Sequence, residues 1–429
     1  MRAKQNLLSA LAVGAFTSVV MAGCQSYDFE RVEPLAIAAT TKEVDVKALT
    51  SKPNAMLLVD ISGSMTGPVD PSRPSCIVKD SETGNDTLCG GRNPCPTATC
   101  PTRWTELQAA VPQFLAESGS LVRYGLTTYP EATSGQGVAA CTAPTNASIR
   151  NPLPAAEDDD SLLANAEGIN QIIQNIPNFG EGRQPIGGTP TSASLTFVGN
   201  FESLQSKDRN DYVILLTDGL PNCNEFNQYA YSTDPVNCRC TIVGNGCTNA
   251  FDKRGCLDMS ASVDAAAALA LKGITTIVIG FGAETASGDG PEVLQAMAVA
   301  GGFKRKCTAN SECGAGDTCN LTTGLCNRQF FQAGNQAELA AALEKISKEI
   351  QNPEPCFVKL EEAELPSDPK LIIVYVEGEK LASGPDTWTL GEYKDAGSGV
   401  IFNGATCDRL KNSRPEAPVN VEVRAIRQQ

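Results

Sequence analysis

The sequence predicts an α/β fold with an open, mostly parallel sheet and helices on both faces. Short, continuously apolar runs, typical of strands buried on both faces, alternate with segments whose apolar residues recur at the period of an amphipathic helix. Three cysteine-rich stretches interrupt this alternation, and a strand-rich region follows it. We therefore expect three cysteine-rich insertions in the α/β domain and a small C-terminal β module.

The predicted strands and helices alternate between residues 55 and 350. Strands are expected at 55–59, 121–129, 212–217 and 274–279, and helices at 107–115, 162–176, 191–201, 263–272, 291–300 and 339–350. Helices between consecutive strands favour parallel pairing, because each crossover packs its helix on a face of the sheet. Asp160 or Ser161 is the expected N-cap of the second helix, Gly273 is expected to end the fourth, and Asn335 to cap the last.

The N-terminal segment has the pattern of a lipoprotein signal peptide. Arg2 and Lys4 precede an apolar run from about residue 7 to 20, which ends in Met21-Ala22-Gly23-Cys24. Small residues before a cysteine resemble the bacterial lipobox. This resemblance implies removal of residues 1–23, lipidation of Cys24 and an outer-membrane location, with the cell surface favoured over the periplasmic face. A plain signal peptide is the alternative. Residues 24–52 are then the expected tether, with one short strand.

Cysteine is abundant, with 17 residues in the chain. Without Cys24 an even number remains, and an exported protein is expected to pair them as disulfides, although the sequence leaves the pairing open. A zinc ribbon is the alternative, but the spacing lacks paired C-x₂-C units. The insertions are expected at 66–103, 223–256 and 307–326, and a β module at 354–429 is expected to be tied by Cys356 and Cys407. The remaining disulfide candidates are Cys76, Cys89, Cys95, Cys100, Cys141, Cys223, Cys238, Cys240, Cys247, Cys256, Cys307, Cys313, Cys319 and Cys326.

The composition excludes several classes of function. The chain contains no histidine, which removes Ser-His-Asp and Cys-His catalysis and every zinc site that uses imidazole. Its formal net charge of -15 repels polyanions, so nucleic acid and anionic lipid surfaces are poor partners. A metal-assisted hydrolase would need a general base beside an activated water, and no separate carboxylate pair marks one. We therefore expect a binding protein and no enzyme.

Oxygen-bearing side chains stand where predicted strands end. Asp60, Ser62 and Ser64 follow the first strand, Thr189 opens a helix, and Asp218 follows the third strand. Because ligands of open parallel sheets bind outside the carboxyl ends of the strands, these side chains are expected to converge. An all-oxygen set suits a hard cation, with Mg²⁺ first and Mn²⁺ or Ca²⁺ as alternatives. Only two carboxylates would leave this cation able to recruit an acidic oxygen from a ligand.

This pattern resembles the metal-ion-dependent adhesion site of von Willebrand factor A and integrin I domains, which has the same order: Asp60-x-Ser62-x-Ser64, then Thr189, then Asp218. The resemblance covers about residues 53–352 without the insertions. It implies that the three hydroxyls contact the metal, while the two aspartates act directly or through water. The combination of a lipobox, cysteine-rich insertions and a C-terminal β module is similar to the CglB-type family of adventurous gliding motility lipoproteins of myxobacteria. The members of that family are surface adhesins. This similarity implies outer-membrane gliding-machinery proteins as partners.

Two functional hypotheses follow. In the first, the chain is a lipid-anchored surface adhesin that binds an acidic protein or polymer through Mg²⁺. In the second, it is a structural or assembly lipoprotein of the outer membrane, rigidified by disulfides, in which the metal only stabilises the fold. The two insertions that directly follow Ser64 and Asp218 are expected to lie around the metal and either to shape or to block the site.

Overall fold

The computed structural model describes residues 41–47, 52–179, 185–206, 209–229, 237–242, 247, 250–351, 356–360, 371–392, 398–411 and 419–428. The strands are β1 (Thr41–Lys47), β2 (Asn54–Asp60), β3 (Ile77–Lys79), β4 (Asp86–Leu88), β5 (Arg123–Tyr129), β6 (Ile149–Asn151), β7 (Asp211–Thr217), β8 (Ile274–Phe281), β9 (Cys319–Asn320), β10 (Leu325–Cys326), β11 (Phe331–Ala333), β12 (Phe357–Lys359), β13 (Ile372–Val376), β14 (Glu379–Leu381), β15 (Trp388–Glu392), β16 (Ser398–Phe402) and β17 (Val421–Gln428). The α-helices are α1 (Arg103–Ser118), α2 (Asp159–Gln174), α3 (Thr191–Val198), α4 (Met259–Leu271), α5 (Gly290–Ala300), α6 (Gln336–Gln351) and α7 (Gly404–Lys411).

The central sheet has six strands in the order β11-β8-β7-β2-β5-β6. Every neighbouring pair is parallel except β5 with β6, which is antiparallel. β2 lies between β5 and β7 and is buried along its whole length. The predicted fold class is therefore confirmed, with a short antiparallel strand at one edge of the sheet.

Two apolar cores cover the two faces of this sheet. Along β2, Leu57 and Val59 face the core formed with α1, α2 and α6, whereas Met56 and Leu58 face the core formed with α3, α4 and α5. Because successive side chains of a strand point to opposite faces, a strand between two layers of helices must be apolar throughout. This requirement explains the continuous apolar run that predicted β2.

The helix ends show how local chemistry sets the boundaries. Asn335 caps α6, since its side-chain oxygen accepts from Glu338 N at 3.0 Å, and Gly273, with φ of 81°, follows α4; both agree with the sequence. The predicted N-cap of α2 is wrong. The Asp158 carboxylate accepts from Ser161 N at 2.8 Å, so α2 begins two residues before Ser161. The run of three aspartates offered three candidate caps, and the first one caps the helix.

Eight disulfides join the candidate cysteines. The first and third insertions each contain two bridges, and the second insertion contains two and is tied by a third to the loop after β5. The bridge predicted in the C-terminal module is present. The pairs are Cys76–Cys100, Cys89–Cys95, Cys141–Cys223, Cys238–Cys256, Cys240–Cys247, Cys307–Cys319, Cys313–Cys326 and Cys356–Cys407.

The C-terminal region has its own core, with Trp388, Phe402 and Val423 buried at its centre. Its strands form the sheets β1-β17-β13-β14 and β12-β16-β15, so the short strand expected in the tether pairs with the last strand of the chain. It also contains α7, which no helical periodicity predicted. The predicted signal peptide and Cys24 lie outside the described residues. No helix in the described ranges has the length and apolarity to cross a bilayer.

Candidate metal centre

The predicted site lies at the carboxyl end of the two central strands. β2 ends at Asp60, and its parallel neighbour β7 ends one residue before Asp218. Gly63 N donates to Gly187 O at 2.9 Å, which holds the segment before Thr189 against the turn that follows β2. Three segments far apart in the sequence therefore meet at one edge of the sheet, as the topology of an open parallel sheet requires.

Three of the five predicted side chains are linked to one another by hydrogen bonds, and a fourth, that of Asp60, is hydrogen-bonded to the backbone of Ser62. Ser62 Oγ and Ser64 Oγ are 2.9 Å apart, and Ser64 Oγ donates to Asp218 Oδ1 at 2.8 Å. Asp60 Oδ1 accepts from Ser62 N at 2.8 Å, while Thr217 Oγ1 donates to Asp60 Oδ2 at 2.8 Å. The turn after β2 thus places two hydroxyls and one carboxylate beside the carboxylate that follows β7.

Thr189, the fifth predicted residue, lies at the same place. A Cβ built on Gly219 would be 3.5 Å from Ser64 Oγ and 3.8 Å from Thr189 Oγ1, so both hydroxyls lie beside this glycine. Asn222 forms hydrogen bonds with both backbone polar groups of Thr189. Asn222 Oδ1 accepts from Thr189 N at 2.7 Å, and Asn222 N donates to Thr189 O at 2.9 Å. The sequence did not identify Asn222.

A buried arginine, also missed by the sequence analysis, enters the site from the first insertion. Arg103 begins α1 and is 4% exposed. Its Nη1 donates to Asp218 Oδ2 at 2.8 Å and to Ser64 O at 3.1 Å, and its Nη2 donates to Glu284 Oε1 at 2.9 Å. Nothing in the sequence around Arg103 signals this position, because the contact depends on how the insertion returns to the sheet.

Burial and nearby charges shift the pKa values of the two aspartates. Asp60 and Asp218 are both 0% exposed. Burial, with the nearby Asp218 charge, raises the pKa of Asp60 to about 7. Burial also raises the pKa of Asp218, although the Arg103 guanidinium opposes this rise. The metal-free site therefore carries negative charge that its surroundings do not fully compensate, and a cation there would be stabilised.

The insertions form the rim of the site. Ser62 and Thr189 are 1% and 4% exposed, whereas Ser64 is partly exposed, as are Gly63 and Gly187. Ser64, in the turn after β2, is therefore the most exposed of the five predicted residues. Cys223 and Phe251 of the second insertion pack against Gly188, next to Thr189.

The disulfide Cys141–Cys223 joins the loop after β5 to the start of the second insertion. A Cβ on Gly188 would lie 2.5 Å from Cys223 Sγ and 2.9 Å from Phe251 Cε2, so the backbone before Thr189 packs directly under the second insertion. Gly188 N also donates to Ala140 O at 2.9 Å. The bridge thus holds the threonine loop between its two ends.

The side chains fit a hard divalent cation. All five predicted side chains offer oxygen and none of the five offers nitrogen or sulfur, and the two carboxylates are buried and only partly neutralised by Arg103. The cysteines offer no competing site among the described residues. In three groups of three cysteines, the sulfur atoms of each group lie within 4.8 Å of one another, but every one of these cysteines is disulfide-bonded. The zinc-ribbon alternative therefore fails.

Comparisons with known proteins give distant likenesses. No protein-family model matches the chain, and no curated protein matches it. Similar solved structures include the PilB minor pilin from Streptococcus sanguinis, at 19% identity over 70% of this chain with a TM-score of 0.35. They also include the pilus adhesin SpaC from Lactobacillus rhamnosus GG, at 15% identity over 90% of this chain with a TM-score of 0.36. The manganese-loaded TRAP protein of Plasmodium vivax matches at 15% identity over 60% of this chain, with a TM-score of 0.30.

The chain spans 62% of the pilin, 42% of SpaC and 66% of TRAP. At these TM-scores the likenesses assign no family.

Proposed function

We propose that this chain is a cell-surface adhesin whose α/β domain binds an acidic group of a protein or polymer through a divalent cation. The observation that carries the proposal is the convergence of the oxygen-bearing side chains at the edge of the sheet. The cation, Mg²⁺ first with Mn²⁺ or Ca²⁺ as alternatives, would be held by Ser62, Ser64, Thr189, Asp60 and Asp218. When bound, it supplies a Lewis-acidic position for an oxygen of the ligand.

The residues of the chain prepare the site for this role. The hydrogen bond between the Ser62 and Ser64 hydroxyls and the one from Ser62 N to Asp60 fix the turn before any ligand arrives. Preorganised groups lose less conformational entropy on binding. The partial exposure of Ser64 marks the side from which an acidic ligand would approach. The low number of carboxylates supports recruitment of an outside anion, because two carboxylates, one of them already paired with Arg103, do not overcompensate the charge of a divalent cation.

The cellular context of the proposal comes from the sequence. Lipidation of Cys24 would anchor the chain in the outer membrane, and the similarity to gliding motility lipoproteins suggests partners in the outer-membrane gliding machinery. With a net charge of -15, the chain would be repelled by anionic surfaces unless a cation mediates contact. We expect no catalysis, since the chain contains no histidine and both carboxylates of the centre would be occupied in holding the cation.

Adhesion of protein-coated beads to a carboxylated polymer surface, with an uncharged amide polymer as reference, tests the proposal. Attachment is expected to need Mg²⁺ or Mn²⁺, to be lost in EDTA, and to fall at least tenfold in Ser62→Ala. This substitution keeps every charge of the protein, so it separates the site from non-specific bridging by cations. Ser72→Ala, at an exposed serine of the first insertion, is the matched control. Attachment unchanged by both EDTA and Ser62→Ala would refute the proposal.

The second candidate function is a structural or assembly lipoprotein in which the cation only stabilises the fold. The burial of Asp60, Ser62, Thr189 and Asp218, each at most 4% exposed, favours it. In that case Ser62→Ala would lower the melting temperature in Mg²⁺ but leave attachment of the folded protein intact. Loss of attachment at unchanged melting temperature would exclude this candidate.

A further inference from the structure

The Arg103 side chain packs directly against the backbone of Gly282. A Cβ on Gly282, whose φ is 94°, would lie 2.9 Å from Arg103 Nε and 3.2 Å from its Cδ, so only glycine leaves room for the arginine. The backbone on the other side also holds it, since Arg103 N donates to Gly67 O at 3.0 Å and Nη1 donates to Ser64 O. A buried cation with this many specific contacts has a fixed position.

The Arg103 guanidinium pairs with two carboxylates, one in the centre and one at the surface. It binds Asp218 Oδ2, while Ser64 Oγ donates to the other oxygen, Oδ1. On its far side it binds Glu284, whose side chain is 54% exposed. One buried positive charge therefore lies between a buried carboxylate of the centre and a carboxylate at the surface.

We infer that Arg103 is a tethered counter-ion of the metal centre: it replaces part of the cation's charge in the metal-free protein and weakens metal binding, and Glu284 sets how strongly it does so. This inference rests on the proposed metal binding. Without Arg103, Asp218 would be buried without a positive partner, so the arginine stabilises the domain before it meets a metal. The same positive charge opposes an incoming divalent cation, and Glu284 reduces that opposition by neutralising the guanidinium from outside.

Titration calorimetry with Mn²⁺ on the full chain tests the inference, because the two charge-neutralising variants should shift affinity in opposite directions. Arg103→Gln is expected to bind Mn²⁺ about tenfold more tightly, as expected for removing one like charge a few ångströms from a buried site. Glu284→Gln is expected to bind it about threefold more weakly, since the exposed carboxylate is screened by solvent. In EDTA, Arg103→Gln should also melt at a lower temperature than wild type.

Matched controls carry the same changes at ion pairs away from the centre. Arg92→Gln removes an arginine of the first insertion that pairs with Asp80 and Glu82, and Glu292→Gln removes a carboxylate that pairs with Arg239. Both should leave Mn²⁺ affinity unchanged.

The outcomes separate the inference from the proposed function. If wild type takes up no Mn²⁺, the proposed function fails and the inference with it. If wild type binds Mn²⁺ but Arg103→Gln binds it more weakly, Arg103 only positions Asp218 and the inference alone fails. Should Arg103→Gln not fold, Glu284→Gln decides: unchanged or tighter binding overturns the inference.

Discussion

Replacing Asp60 with asparagine is expected to stabilise the metal-free protein while abolishing its response to metal. Asparagine has nearly the same shape, and its side-chain oxygen still accepts the hydrogen bond from Ser62 N. The hydroxyl of Thr217, which donates to Asp60 Oδ2, can rotate to accept from the new amide. The substitution therefore removes a buried negative charge at little cost in packing.

The magnitude follows from the pKa of Asp60. Burial and Asp218 raise this pKa from 3.8 to about 7, so the folded protein binds the proton more tightly than the unfolded chain. The contribution of this group to stability therefore falls as the pH rises from about 4 to about 7, by roughly 4 kcal/mol in total, since each pKa unit is worth about 1.4 kcal/mol. Some relaxation of the site reduces this figure, and we expect Asp60→Asn to gain about 2–4 kcal/mol near pH 8 and almost nothing near pH 4.

Thermal unfolding in EDTA at several pH values measures this gain, which corresponds to roughly 5–10 °C in melting temperature near pH 8. Excess Mn²⁺ should raise the melting temperature of wild type near pH 8 and leave that of Asp60→Asn unchanged, because a ligand stabilises only a state that binds it. Asp159→Asn, at the exposed start of α2, is the control for a lost surface charge. The reasoning is refuted if Asp60→Asn melts lower than wild type in EDTA near pH 8, or if its melting temperature still rises with Mn²⁺.

Two further predictions concern the scaffold of the site. Changing Cys141 and Cys223 together to serine should destabilise the protein by about 4 kcal/mol in chemical denaturation, because the bridge closes a long loop. It should also weaken Mn²⁺ binding measured by calorimetry, because the bridge holds the segment before Thr189 in place. The same change at Cys89–Cys95 should cost only about 2 kcal/mol and spare Mn²⁺ binding. Gly280→Ala should cost about 1–3 kcal/mol, since its Cβ would lie 2.4 Å from Leu294 Cδ1; an unchanged denaturation midpoint would contradict this close packing of β8 against α5.

The sequence predicted those features that local patterns encode. The continuous run at 55–59 is apolar because β2 is covered on both faces, and the recurring apolar positions of α6 face one core. Asp60, Ser62, Ser64 and Asp218 were predictable because they follow strands, and the ends of parallel strands lie at one edge whatever the rest of the fold does. These inferences need only a short segment and a general rule of sheet geometry. Thr189, which lies before α3 and follows no strand, was predicted because the order of the motifs resembles a metal-ion-dependent adhesion site.

Features that depend on the path of an irregular loop could not be predicted. Arg103 reaches Asp218 only because the first insertion returns beside the turn after β2, and Asn222 contacts Thr189 through the irregular segment that joins β7 to the second insertion. The pairing of Cys141 with Cys223 has the same origin, since many pairings are compatible with the same cysteine count. The helix α7 was missed because a short helix of eight residues carries too few apolar positions to show a period.

The central place of β2 also determines how the centre resists mechanical force. This strand is hydrogen-bonded to parallel neighbours on both sides over almost its whole length, and Asp60 stands at its end. A pull on that end directed along the strand stretches all the hydrogen bonds of both pairings at once, so they would have to break together instead of one after another. Sideways peeling, the easier way to open a sheet, is prevented because the strand has no free edge. A ligand held here would pull on an interior strand that can leave the sheet only when both pairings break.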